Sequence, residues 1–180
     1  MNLKNTIKKF KESENFFVML IKDIFISLII LSVIMFAFQI VYGSWMPMVV
    51  VESGSMEPNI DIGDIIFIEN IERTYVILNQ EHTQFNKQGD VILFKPFGDK
   101  YVTPILHRAV EFVEVGEPMW QNGPPAPHSG YITQGDNPIT NVQIDQKVNI
   151  SYKQPIKEEW IIGIARHRIP YIGHIRLLLE

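Results

Sequence analysis

Cysteine is absent from the sequence, so there is no disulfide framework and no thiolate metal site, and any chemistry must run on oxygen or nitrogen groups. That absence says nothing about the redox compartment. Positive charge is in short supply as well: 16 Lys and Arg stand against 20 Asp and Glu, for a formal net charge of −4. This excludes the broad basic field through which proteins hold nucleic acid phosphates. No HExxH, CxxC, Walker or GxGxxG pattern occurs, and there is no internal repeat. Neither a cofactor nor a metal is therefore expected. At 180 residues and 46% hydrophobic content, the chain has the material for one core.

One stretch lacks charge entirely. Ile24 to Tyr42 reads IFISLIILSVIMFAFQIVY, broken only by Ser27, Ser32 and Gln39. As a helix it would be about 28 Å long, close to the roughly 30 Å hydrocarbon core of a bilayer. Lys4, Lys8, Lys9, Lys11 and Lys22 precede it, partly offset by Glu12, Glu14 and Asp23, whereas the next charge after it is Glu52. The positive-inside rule then assigns residues 1–23 to the cytoplasm, 24–42 to a single-pass anchor in the cell membrane, and 43–180 to an extracytoplasmic domain. Trp45 falls at headgroup level. The apolar run exceeds a usual signal-peptide core, and Tyr42-Gly43-Ser44-Trp45 is a poor small-x-small cleavage site, which argues for an uncleaved anchor.

After the anchor, apolar runs are short, rich in Val and Ile, and bounded by Gly, Pro, Asn or Asp. This pattern predicts a mainly β domain with strands at Met46–Val51, Ile65–Glu69, Val91–Lys95, Ile105–Val115, Gly130–Thr133 and Trp160–Ala165. Of three Gly-Asp pairs, Gly63-Asp64 and Gly89-Asp90 precede apolar runs and read as turns into strands. Gly135-Asp136 instead opens a polar loop. Residues 70–88, polar apart from Tyr75-Val76-Ile77-Leu78, and residues 116–130, with four prolines, read as surface excursions. The apolar C-terminal stretch from Ile169 to Leu179 is too short to span a bilayer and is expected to pack on the body or to touch lipid. Asn149-Ile150-Ser151 fits a glycosylation acceptor triplet.

Ser53-Gly54-Ser55-Met56-Glu57-Pro58 follows a valine run, and Ser, Gly and Pro all have ordinary reasons to sit in turns. A nucleophilic serine needs a base for its proton and donors aimed at the oxyanion. Four of the five histidines, His82, His128, His167 and His174, lie in polar loops or among Arg and Pro near the end. His107 differs, because Pro104-Ile105-Leu106-His107-Arg108-Ala109-Val110 is an apolar strand-like run where a polar ring is costly unless hydrogen-bonded. A carboxylate to fix the imidazole could come from Asp136 or from Asp145, both in or just beyond the loop after a strand.

These blocks resemble type I signal peptidases. Ser53-Gly54-Ser55-Met56-Glu57-Pro58 matches the nucleophile box, Gly89-Asp90-Val91-Ile92 with His107-Arg108-Ala109-Val110 the base box, and Gly135-Asp136-Asn137 the third box. Ile162-Gly163 with Ile169-Pro170-Tyr171-Ile172-Gly173 matches the last strand and its exit, so the order holds across residues 47–173. Bacterial members carry Lys where His107 stands, so the chain is similar to the archaeal and endoplasmic-reticulum branch.

The resemblance implies a β-barrel-like catalytic domain on one N-terminal transmembrane helix, a membrane-bound serine endopeptidase removing signal peptides from secretory preproteins. Its partners would be those peptides, membrane lipid and the translocation machinery. The resemblance further implies Ser55 as nucleophile, His107 as base, and an oxyanion hole from the Ser55 N–H and the Ser53 hydroxyl. Val49, Val50 and Val51 would line a substrate edge or pocket. In that branch the second aspartate follows Gly-Asp-Asn by only a few residues. With a small insertion here, Asp145 takes the orienting role and Asp136 is the supporting or alternative carboxylate. Two other readings stand beside this one: a same-fold serine peptidase maturing other secreted proteins, and a non-catalytic membrane-anchored adaptor.

Overall fold

The structure is a computed structural model that describes residues 15–78 and 82–178. The lysines and carboxylates before Asn15 on which the orientation argument leaned lie outside the described residues, as do residues 79–81 of the polar excursion and Leu179.

Helix α1 spans Phe16–Tyr42, 27 residues and so about 40 Å. It begins earlier than the uncharged run because Lys22 and Asp23 end a membrane span but do not break a helix. Asn15 caps it, its side chain accepting from the Phe17 N–H at 3.0 Å. Gly43, at φ +68°, closes it by returning its N–H to the Gln39 carbonyl. None of its residues is buried, which sets it apart from a core helix, and it is the one described helix long and apolar enough to cross a bilayer.

The body is mainly β. Strands β1 (Met48–Val50), β2 (Ile65–Asn70), β5 (Val91–Phe94), β6 (Ile105–Val113), β7 (Gly130–Gln134) and β8 (Ile161–Ile169) form one antiparallel sheet. Its order is β1-β2-β8-β5-β6-β7. The six strands read from the sequence are these six. The sheet carries register shifts in β2, β5 and β6, irregularities of the kind that bend strands, but among the described residues β1 and β7 do not pair, so it stays open. A short hairpin, β3 (Thr83–Gln84) with β4 (Lys87–Gln88), stands apart.

β5 explains the core. All four of its residues are buried, and alternate ones face opposite ways. Val91 and Leu93 join Val51, Met56, Ile60, Ile66, Ile68 and Ala165, whereas Ile92 and Phe94 join Val76, Ala109, Ile156, Ile161 and Ile164. A strand covered on both faces has no polar side, so it reads as an unbroken apolar run.

The two excursions are not mere surface. Met119 and Ala126, 1% and 2% exposed, pack with Val113 and Ile132 in a third cluster, and Val76 and Phe85 of the first excursion enter the two main clusters. Prolines excluded helix and central strand from residues 116–130, but they did not exclude an irregular lobe that buries its own apolar side chains. The C-terminal stretch packs on the body: the Gly173 N–H donates to the Gly63 carbonyl at 2.8 Å and leads into the short helix α2 (His174–Leu177). In the acceptor triplet Asn149 is exposed, while the Ser151 hydroxyl donates to the Gln154 carbonyl.

Candidate active site

Ser55 sits in a single 3₁₀ turn, Gly54–Met56, between two buried residues of the first cluster, Val51 and Met56. Core packing thus holds the turn from both sides. The loop after β7 clamps it from above: the Asn137 N–H donates to the Ser55 carbonyl at 2.9 Å and the Asn137 side-chain amide to the Gly54 carbonyl at 2.7 Å. Gly135 has to lack a side chain, since a Cβ there would stand 2.6 Å from the Ser55 carbonyl oxygen and 2.5 Å from the Asn141 side chain. The Ser53 hydroxyl donates to Ser55 Oγ at 3.4 Å.

His107 lies on β6 opposite Ile92 and is 2% exposed. Its Nδ1 is 2.8 and 3.0 Å from the two oxygens of Asp145, a fully buried carboxylate. A carboxylate only accepts, so Nδ1 carries the hydrogen and Nε2 is left with a lone pair. Asp145 is held in turn: the Thr133 hydroxyl of β7 donates to its Oδ2 at 2.6 Å, and its backbone carbonyl accepts from the Ser151 N–H. Gln146, also buried, accepts from the Thr133 N–H at 3.1 Å and so ties the Asp145 turn to β7.

Asp136 goes elsewhere. Successive residues of a strand point to opposite faces, and Arg108, next to His107, takes Asp136 in a two-pronged pair, Nε to Oδ1 at 2.9 Å and Nη2 to Oδ2 at 2.6 Å. Asn59 and Lys87 add bonds of 2.9 and 3.2 Å. Burial pushes the Asp136 carboxyl up, but hydrogen bonds from Arg108 and Asn59 and the charges of Arg108 and Lys87 outweigh it and hold the group below the usual carboxylate range. The other two Gly-Asp carboxylates are also buried anchors. Asp64 accepts from the Asp61 and Tyr171 N–H groups and Arg168, and Asp90 from the Ile77 N–H and Arg166. Gly63 and Gly89, at φ +83° and +82°, are the turn residues expected of them.

Ser53, Ser55 and His107 line one cavity of about 720 Å³ together with Val49, Val50 and Val51. Val102 to Leu106 and Ile150 line it as well, and Glu52 and Arg176 stand among its charged lining residues. β1 is an end strand of the sheet, so its outer backbone groups have no strand partner among the described residues. The arrangement can bind an extended, apolar chain beside a hydroxyl and an imidazole whose tautomer is set. Reading the sequence missed Thr133 and Asn137. Thr133 sits in a predicted strand, and Asn137 in a quoted motif, but nothing local showed which carboxylate or carbonyl each would reach.

The family described as signal peptidase, peptidase S26, matches residues 21–111. Among curated proteins, the signal peptidase complex catalytic subunit SEC11 of Eremothecium gossypii is 33% identical over 142 residues, 79% of this chain and 71% of that protein. The corresponding subunit of Sclerotinia sclerotiorum is 31% identical over 134 residues, 74% of this chain and 64% of its own. Human SEC11C is 28% identical over 138 residues, covering 77% of this chain and 59% of its own. The chain thus spans less than two thirds of the length of the latter two.

Proposed function

The chain belongs to the signal peptidase family, peptidase S26, so its reaction is peptide-bond hydrolysis by a serine endopeptidase; on that premise we propose that it removes N-terminal signal peptides, with Ser55 as nucleophile, His107 as base and Asp145 as the carboxylate that orients it. The observation that carries the residue roles is the pair of contacts from His107 Nδ1 to Asp145, which leave Nε2 as the acceptor of a residue that lines the same cavity as Ser55.

In the reaction, a substrate strand pairs with the outer edge of β1 by β-augmentation, its small side chains against Val49, Val50 and Val51. Ser55 Oγ attacks the scissile carbonyl carbon as its proton passes to His107 Nε2, and Asp145 stabilises the imidazolium. The oxyanion takes hydrogen bonds from the Ser55 N–H and from the Ser53 hydroxyl, which turns from Ser55 Oγ. The C–N bond then breaks as the imidazolium returns the proton to the leaving amine. Water, deprotonated by the same nitrogen, releases the signal peptide from Ser55.

The apolar helix fits a single-pass membrane anchor. We assign the lysine-rich start to the cytoplasmic side and the β body to the extracytoplasmic side, where translocated chains emerge. The relatives are subunits of a signal peptidase complex, which favours association of this chain with the translocation machinery too. Asp136 acts in this scheme as a brace, tying the loop that carries Asn137 to Arg108.

Cleavage of a preprotein by the purified full chain, with Ser55→Ala and His107→Ala alongside, tests the reading. Loss of one member of a concerted serine site costs on the order of 10⁶-fold in turnover. Substantial cleavage by either variant, folded as wild type, removes the serine-histidine mechanism.

A further inference from the structure

The end of α1 is gripped by the β body at several points. Its last turn contains no basic residue of its own. Arg73, in the 3₁₀ turn after β2, supplies the missing cation: its Nη1 donates to the Gln39 carbonyl at 2.9 Å and to the Ile40 carbonyl at 2.7 Å. These are carbonyls of the helix's negative end, where a cation is favoured. Asn70 Nδ2 donates to the Gly43 carbonyl at 3.3 Å. Gly43 is needed twice, for its φ of +68° and because a Cβ there would lie 2.3 Å from Arg73 Cδ. On another side, Tyr42 stacks on Phe67 of β2 at 5.3 Å and its hydroxyl meets His167 Nδ1 of β8 at 3.1 Å, while Phe38 lies 6.0 Å from Phe67.

From this grip the chain runs directly through residues 43–47 into β1, the cavity's edge strand, and on to Ser55. A helix joined only by that linker would tilt freely. Held by two strands and an arginine, it makes the cavity a rigid extension of the anchor.

We propose that Arg73, with Asn70, is a positioning clasp that fixes the height of Ser55 above the membrane and thereby selects which bond of a membrane-embedded substrate is cut. The inference rests on the anchor and on the Ser55 mechanism proposed above. Extended chain advances about 3.3 Å per residue, so a few ångströms of play at the clasp moves the cut by about one residue.

The test uses the full chain in liposomes, Arg73→Ala beside wild type, and two kinds of substrate. One is a short soluble peptide with a cleavage site; the other is a set of preproteins whose spacer between apolar segment and cleavage site grows one residue at a time. Arg73→Ala should cut the soluble peptide at the wild-type rate, yet show a spacer optimum broadened or displaced by at least one residue, with Arg73→Lys restoring part of the profile. Asn70→Asp keeps the cap on the Glu72 N–H but sets a carboxylate oxygen against the Gly43 carbonyl in place of the donor, so it should shift the profile the same way. An unchanged spacer profile in both variants overturns the clasp, and so does an equal loss on both substrates, which marks a merely structural role. Failure of wild type to cut either substrate, or cutting by Ser55→Ala, instead overturns the function on which the clasp rests.

Discussion

Exchanging each of the two buried aspartates for asparagine should separate catalysis from bracing. At position 145 an amide would keep the oxygen that accepts from the Thr133 hydroxyl at 2.6 Å and lies 2.8 Å from His107 Nδ1, but would set an NH₂ in place of the other oxygen, 3.0 Å from the same nitrogen. The amide has no charge to stabilise the imidazolium, and its NH₂ favours the ring form that accepts at Nδ1 and carries its hydrogen on Nε2, which cannot take a proton from Ser55. Where a serine-site carboxylate has been made an amide, the loss is about 10⁴-fold, or about 5.5 kcal/mol of transition-state stabilisation. Asp145→Asn should therefore fold normally and lose kcat/KM by about that factor. At position 136 the damage is of another kind. Four donor bonds converge on this carboxylate, and an amide NH₂ would face at least one of them. Removing one partner of a buried pair costs about 3–5 kcal/mol. The low end applies, because Arg108 keeps the Gln84, Lys87 and Gly89 carbonyls. For a chain of this size that is a fall of about 10 °C in Tm. Thermal unfolding in detergent and steady-state cleavage of a preprotein, run on both variants, read the two effects separately. Wild-type kcat/KM in Asp145→Asn, or an unchanged Tm in Asp136→Asn, refutes the division of labour.

A carboxyl whose folded pKa is depressed contributes stability that is present above its unfolded value, about 3.9, and is lost as pH falls through the folded value. The stability gap between wild type and Asp136→Asn should accordingly shrink as pH drops below about 4; a gap that widens there contradicts the ion-pair account. Gly135→Ala should push the Ser55 carbonyl away and lower kcat more than it raises KM, and a variant with wild-type kcat shows that the loop does not set the nucleophile's position. Protease added to sealed vesicles from the extracytoplasmic side should digest the body and spare the residues before α1, whereas a protected body reverses the assigned orientation.

What was legible in the sequence depended on how local the cause was. β5 was visible because burial on both faces leaves an unbroken apolar run, and Gly63 and Gly89 because a left-handed turn demands glycine. β8 was read as ending at Ala165, yet it continues to Ile169. Arg166 and Arg168 interrupt the apolar pattern there, but their charges are spent on Glu69, Asp90 and Asp64. The site shows the same limit. Ser55 and His107 stood out by their neighbours, but whether a carboxylate meets the imidazole depends on a loop between Asn137 and Asp145, whose path no pattern in the sequence encodes. Only the strand alternation that turns His107 and Arg108 to opposite faces separates Asp145 from Asp136.

The open end of the sheet at β1 has a cost that its length contains. An enzyme that takes substrate by backbone pairing must keep one row of N–H and C=O groups uncommitted, and such a row is equally a template on which copies of the same protein can stack. β1 is three residues long, after which the chain leaves strand geometry for the Ser55 turn. That is enough backbone to hold a few residues of a passing chain, and too little to seed the long, flat ladders from which aggregates grow. Lengthening β1 by stabilising Val51 and Glu52 as strand should then tighten peptide binding and reduce solubility together.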